Sequence, residues 1–357
     1  MHNPRQRVRQ RIKRHHQPKQ RVARLVDARK FTGQGHITDA NLPTLQNDIN
    51  VHQKRMTDIL NTHQTALRLP WLALVEAIAR LLQDDSVQVP QRLVQALPGG
   101  GSLFVMPALD AQIAITKLIT FTPGNASFGK PVIQGDVVIF DIATGERTLV
   151  LHGPTVTARR TAAVSVLAAR QLAQNLAGPL LIVGAGVQGK AHLEAFADVL
   201  GVKQFMIASR CVASAHALVA YAKGLGCQAD VAPSADAALA DCSLVITCTP
   251  ASSIALNSPP RQNTFISAVG AFTPQMAELS PAFCKHIAEN GTLFVDSTQA
   301  YHEAGDLLQA GLNVSSLATL KDVVRGIGLK SAGPVLFKSC GWAGWDLAAA
   351  RLAVQAI

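Results

Sequence analysis

Ten residues constrain this chain more than any others: Leu180-Leu-Ile-Val-Gly184-Ala-Gly186-Val-Gln188-Gly189. An apolar run of strand length enters a G-x-G-x-x-G turn, and a helix-forming stretch follows. In that setting each glycine has its own task. Gly184 makes the tight turn, Gly186 lets the backbone approach a pyrophosphate, and Gly189 lets the helix pack closely on the strand. The helix N-terminus then offers amide donors and the positive end of its dipole to phosphate. Gly184, Gly186, Val187, Gln188 and Gly189 are therefore expected to hold a dinucleotide.

The flanking pattern agrees. Apolar strands at Leu180–Val183, Gln204–Ala208, Leu244–Thr247, Thr264–Ala268 and Leu293–Asp296 alternate with helices that begin at Gln188 and Ala213. This is the βαβ signature of an α/β fold, a Rossmann doubly wound parallel sheet. The second strand ends Ile207-Ala-Ser209-Arg210. A carboxylate there would hold the ribose hydroxyls of NAD, whereas Arg210 can grip a 2′-phosphate, so NADPH is favoured and NADH is possible. Ser209, Arg210, Thr247 and Thr249 join the expected cofactor contacts.

Ahead of this region the periodicity changes. Leu67 to Leu82 has helical spacing, with Pro70 near the helix start, and Leu103 to Leu151 reads as strands. Gln112–Thr120 alternates, and Val137–Asp141 and Thr148–Leu151 flank a hairpin turn at Ala143–Glu146. Thr157 is the expected cap of a helix through Arg160–Leu172, and Asp346–Ala356 reads as an Ala-rich helix. These segments predict a second, α+β domain made of 56–174 with 311–357, beside a nucleotide domain at 175–310.

The net charge of +10 resembles a polyanion-binding signal until it is located. Residues 1–55 hold 13 of the 33 Lys/Arg and three of the 23 Asp/Glu, leaving 20 of each in the rest of the chain. The basicity belongs to an extension, read as disordered and solvated, with Phe31 its one aromatic for base stacking; nucleic-acid binding beyond non-specific contact is not expected. Met56 could itself be a start of translation. The extension lacks the apolar segment of a secretory signal, and its Gln and His content fits a mitochondrial presequence poorly. No uncharged apolar run reaches the ~18 residues of a membrane helix. Six cysteines without C-x-x-C spacing suit a reduced, cytoplasmic protein and point to no metal site.

Lys117 shares strand parity with Ile113, Ile115 and Ile119 and so points into an apolar face. An ammonium there must find an anion or lose its charge. The anion is a ligand carboxylate or, alternatively, an internal Asp or Glu. Arg160, near a helix start, is suited to bidentate carboxylate binding. Arg159 is expected to face away.

Several segments together resemble the ornithine cyclodeaminase/mu-crystallin family. They are Gly184–Gly189 with Lys190-Ala-His-Leu-Glu-Ala-Phe, Thr157-Ala-Arg-Arg160-Thr161, Phe121-Thr-Pro-Gly-Asn125, Val269-Gly270 through Glu278-Leu279, Glu303-Ala-Gly305-Asp306, and Phe337-Lys-Ser339-Cys-Gly341. The resemblance runs from about Met56 to the end and is strongest to reductases of cyclic ketimino acids. It implies a homodimer through the second domain and a small-molecule cyclic imino acid as substrate. It also implies that Arg92, Lys117 and Arg160 hold the substrate carboxylate, with Lys117 and Arg160 the catalytic pair and Ser339 and Gly341 nearby. Where ornithine cyclodeaminases carry an Asp for ammonia loss, this sequence has Phe272. A ring-closed iminium needs no such group, only a hydride at C2. The expected reaction is therefore NAD(P)H-dependent reduction of Δ1-pyrroline-2-carboxylate and Δ1-piperideine-2-carboxylate to L-proline and L-pipecolate. Ornithine cyclodeaminase, alanine dehydrogenase-like activity and a non-catalytic mu-crystallin-like binding role are the alternatives. His152 departs from the Asp that relatives commonly have before Gly153, either a harmless change or a perturbed hairpin.

Overall fold

The computed structural model describes residues 58–251, 253–327 and 333–355. The expectation for residues 1–55 falls outside them.

Two sheets organise the chain. The first has six strands: β1 (Asp58–Ile59), β2 (Leu93–Ala96), β3 (Ser102–Leu109), β4 (Ile113–Phe121), β5 (Ile133–Asp141) and β6 (Arg147–His152). Their order is β1-β6-β5-β4-β3-β2, antiparallel except for the β1–β6 pair. The β5–β6 hairpin that ends at His152 keeps its pairing, with Asp136 opposite His152 and an irregularity at Ile139/Phe140.

The second sheet has eight strands, all parallel: β7 (Leu180–Val183), β8 (Gln204–Ala208), β9 (Gln228–Val231), β10 (Leu244–Thr247), β11 (Phe265–Ala268), β12 (Thr292–Val295), β13 (Ala318–Thr319) and β14 (Val335–Lys338). The order is β13-β12-β14-β11-β10-β7-β8-β9. Chain direction across the sheet reverses between β7 and β10, the crevice where doubly wound folds bind their ligands.

This order corrects the expectation that 311–357 lies wholly in the second domain. Val335-Leu-Phe-Lys338 is buried at every position, as a central parallel strand covered on both faces must be. It enters between β11 and β12, and β13 closes the edge beyond β12. The Ala343–Gln355 helix crosses to the other layer, where it packs on the Trp71–Leu81 helix and on β3 and β4, and Arg325 reaches the same layer at Leu82 O and Asp85.

Between the sheets runs the Gly153–Leu172 helix, buried from Arg160 through Ala169. A helix apolar around most of its circumference belongs inside a core, and this one joins the two layers into a single hydrophobic cluster. It begins four residues before Thr157, with His152 at its N-cap and Pro154 in its first turn, where proline's missing N–H costs nothing. Arg160 is thus in the second turn, so first-turn amides do not account for an anion there. The expected Leu67–Leu82 helix is broken as well: Thr62–Leu67 ends before Pro70, which caps Trp71–Leu81.

Candidate active site

The glycine loop follows its sequence logic. Gly184 takes a φ of 119°, and a Cβ on Gly189 would collide with the carbonyl oxygen of Gly184. A Cβ on Gly186 would meet nothing within 4 Å, so the backbone is open at that point. Gly186 caps the Val187–Leu200 helix and no side chain satisfies the first-turn amides. Gln188 Oε1 is buried without a partner. An uncapped helix end, an open glycine and an orphaned acceptor at a switch point fit a dinucleotide. Val187 is exposed at the same helix start. Ser209 and Arg210 follow β8, the next strand; Ser209 Oγ accepts from Cys211 N, and Arg210 is exposed.

Thr247 has a different role from the expected cofactor contact. It is fully buried, and its hydroxyl donates to Glu278 Oε2 at 2.9 Å. Glu278 also accepts from Thr249 N and Gly270 N, each at 2.7 Å. This one carboxylate ties the loop after β10 to the loop after β11. Burial raises the Glu278 pKa, with Asp306 adding to the rise and Lys338 opposing it. Asp306 Oδ1 in turn accepts from Glu278 N and Leu279 N, and Lys338 Nζ lies 2.8 Å from Asp306 Oδ2, with both side chains fully buried. Burial works against the Lys338 charge, but Asp306 and Glu278 keep its pKa above the ordinary lysine range. Sequence reading singled out neither Lys338 nor this network. The signal for it is a lysine ending an otherwise apolar strand.

The three cations expected at the substrate carboxylate are brought together, each beside an internal carboxylate. Lys117 Nζ lies 2.7 Å from Asp346 Oδ2, and Arg160 Nε donates to Asp346 Oδ1 at 3.2 Å; Asp346 is fully buried. Arg92 Nη2 lies 2.6 Å from Glu303 Oε2. Burial pushes the Lys117 pKa down to about 8; Arg160 and Arg92 push the same way, against Asp346. Asp346 is the one charged residue within Trp345–Ala350, an otherwise apolar buried stretch of its helix, and that contrast could have marked it.

Gly341, with φ 88°, lies against the Arg160 guanidinium; a Cβ there would be 3.4 Å from Nη2. Ser339 does not offer its hydroxyl to a ligand. It is buried and donates to Asp296 Oδ2 at 2.8 Å, an oxygen that also accepts from Cys340 N and Gly341 N. Arg159 turns away as expected, stacking 3.8 Å from the Trp71 ring centroid. Phe272 meets Phe121 edge to face, with ring centroids 6.0 Å apart. Among the described residues no group of His, Cys, Asp and Glu could hold a metal, and no helix is long and apolar enough to cross a membrane.

A parallel eight-stranded sheet with a glycine loop at its switch point, joined to a second layer that carries buried cations, defines a two-layer dinucleotide-binding protein of the Rossmann class. The chain belongs to the ornithine cyclodeaminase/mu-crystallin family, whose sequence profile matches residues 52–356. Δ1-Pyrroline-2-carboxylate reductase 2 of Burkholderia ambifaria is 35% identical over 298 residues, 82% of this chain and 94% of the relative. Among solved structures, the Δ1-pyrroline-2-carboxylate reductase of Thermococcus litoralis in complex with NADH and L-proline superposes with a TM-score of 0.78. It is 24% identical and covers 83% of this chain and 96% of its own. An archaeal alanine dehydrogenase dimer with bound NAD superposes with a TM-score of 0.76 at 24% identity, over 84% and 95% of the two chains.

Proposed function

We propose that this protein reduces cyclic ketimino acids, Δ1-pyrroline-2-carboxylate and Δ1-piperideine-2-carboxylate, to L-proline and L-pipecolate with NAD(P)H. The observation that carries the reading is the convergence of Arg92, Lys117 and Arg160, whose direct anionic partners among the described residues are Asp346 and Glu303. Lys117 and Arg160 share the single Asp346 carboxylate, so donors remain for a substrate carboxylate. The Burkholderia relative's activity supports the same substrate class.

A reduced nicotinamide, when bound, supplies hydride to C2 of the ring. Gly184, Gly186, Val187, Gln188 and Gly189 would hold its pyrophosphate. Asp346 fixes Lys117 and Arg160 relative to each other, so that their remaining donors are oriented before a substrate carboxylate arrives. Phe272 places an aromatic edge where expulsion of ammonia would need a carboxylate, which argues against ornithine as substrate. The test is NADPH oxidation with each cyclic imine, beside ammonia release from ornithine. Ammonia release without imine reduction would overturn the reading.

Arg210 supports a preference for NADPH. It is exposed beyond β8, and no ion pair occupies it among the described residues. Arg210→Ala should raise KM for NADPH ~10- to 150-fold and leave NADH nearly unchanged, since a charge-assisted contact contributes ~1.5–3 kcal/mol. Equal effects on both cofactors would remove Arg210 from 2′-phosphate recognition.

The reading includes a homodimer. On the face of the six-stranded sheet turned away from the core, Leu93, Val105 and Leu118 form one cross-strand row that continues to Asp136, with Val138 and Phe140 further along the same face of β5. Leu93 and Leu118 are 55% and 46% exposed. An apolar sheet face of this kind marks an interaction surface. Light scattering at micromolar concentration should give twice the chain mass, and Leu118→Lys should shift the protein toward monomer. A wild-type monomer would contradict the proposal.

A further inference from the structure

We propose that Glu303 is the proton donor to the ring nitrogen of the imine, an inference that rests on the imine-reductase reading above. A neutral cyclic imine accepts hydride poorly at C2 until its nitrogen is protonated, and three neighbouring cations make that protonation harder. The site therefore needs an acid of its own. Three carboxyl groups approach the cation cluster, and the structure separates them. Asp346 is fully buried and wedged between Lys117 and Arg160. Asp296 is 1% exposed, and its Oδ2 accepts from Ser339 Oγ, Cys340 N and Gly341 N. Those three donors tie this oxygen to the Ser339–Gly341 loop and away from a ligand. Glu303 is the remaining group, with a side chain 22% exposed and so open to protons from solvent.

Its contact with Arg92 is close but unfinished. Arg92 Nη2 lies 2.6 Å from Glu303 Oε2, while Arg92 Nε makes no hydrogen bond. Arg92 is nine-tenths buried and keeps a donor unused, a costly state unless a ligand completes it. A substrate carboxylate that takes this donor draws Arg92 away from Glu303 and leaves the carboxyl beside the ring. The groups facing Glu303 are Arg92, Asp296, His302 and the buried Cys340 thiol. Burial raises the Glu303 pKa, Asp296 adds to the rise, and Arg92 and His302 oppose it, a balance that favours a protonated carboxyl nearer neutrality than an exposed glutamate would give.

The step balances as follows. The nitrogen lone pair takes the proton from Glu303, giving an iminium and a carboxylate. Hydride from the reduced nicotinamide cofactor then forms the C2–H bond, and the C=N π pair returns to nitrogen as the lone pair of a neutral amine. Solvent restores the proton to Glu303 and adds a second one to the amine.

The test is Glu303→Gln in the full chain, with NADPH affinity followed by fluorescence and folding by thermal melting. Turnover of the N–H imine should fall by at least ~100-fold, within the range for a lost general acid, with cofactor affinity unchanged. The N-methyl cyclic iminium carboxylate is permanently charged and needs no proton, so the variant should reduce it within ~3-fold of wild type. Loss of both reactions to the same extent, or retention of N–H imine turnover, would overturn the proposal. Should wild type reject the N-methyl compound, the pH profile decides: Glu303→Gln must abolish the fall in kcat on the alkaline side of the Glu303 titration, and an unchanged profile overturns the proposal. Wild-type enzyme that reduces no cyclic imine would instead sink the underlying reading, which separates the two failures.

Discussion

Replacing Lys117 or Arg160 with methionine is expected to lower kcat/KM for the cyclic imine by ~30- to 5,000-fold, the ~2–5 kcal/mol lost when one partner of a desolvated ion pair is removed. The structure adds a second consequence. Both cations share Asp346, so either substitution leaves a fully buried carboxylate with half its compensation, and breaking such a pair costs about 3–5 kcal/mol of stability. Pairing Lys117→Met with Asp346→Asn should recover part of the lost stability without recovering activity. Removing both cations should cost less than the sum of the single losses, because they share one partner. Cofactor affinity should survive in each variant.

A pH dependence accompanies this result. With the Lys117 pKa pushed down to about 8, the ammonium is present below that value and lost above it, so kcat/KM for a carboxylate substrate should fall as pH rises through about 8. The contribution to stability runs the other way. Between about 8 and the ordinary lysine value of 10.5, the unfolded chain binds more protons at this position than the folded one, so the Lys117 contribution to stability rises with pH there. Steady-state kinetics, cofactor titration and thermal melts across pH check all of these outcomes. Near-wild-type kcat/KM in both single variants would mean that the substrate carboxylate binds elsewhere.

The second large effect separates two glycines of one loop. Gly189→Ala puts a methyl group against the Gly184 carbonyl, so the helix must leave the strand. Overpacking of this kind costs typically 1–3 kcal/mol, and the displaced helix end should weaken cofactor binding along with Tm. Gly186→Ala meets no protein atom within 4 Å. Tm should therefore hold, while the dissociation constant for NADPH rises ~100-fold because the methyl group fills the space a pyrophosphate needs. Melting curves and fluorescence titration distinguish the pair. If Gly186→Ala binds NADPH normally, the dinucleotide does not approach the loop at that glycine.

What was legible in the sequence was local. The path from Leu180 to Gly189 carries its geometry in ten consecutive residues, and Lys117 reveals its burial through the parity of three isoleucines. Asp346 was harder to read, because its partners lie 186 and 229 residues earlier in the chain. The sequence showed that Lys117 needs an anion and left open whether that anion is internal; the structure supplies Asp346. Thr247 and Ser339 fell at plausible positions, but Glu278 and Asp296 claim their hydroxyls. Pairings between distant loops leave no periodic trace. The start of the Gly153–Leu172 helix was placed late because Thr157 is a good cap by type, while Pro154 had already opened the helix.

The insertion of β14 between β11 and β12 bears on how the chain is made. A nascent polypeptide that has emerged only as far as residue 330 holds every strand of the large sheet but one, and the missing strand is interior. β11 and β12 then have no neighbour on their facing edges, and both are open to pairing with another chain. Synthesis proceeds at ~5–20 residues per second, so these two edges wait on the ribosome for several seconds after β12 emerges. A chaperone that binds exposed strand edges, present during that interval, should raise the yield of native protein more than one added after release.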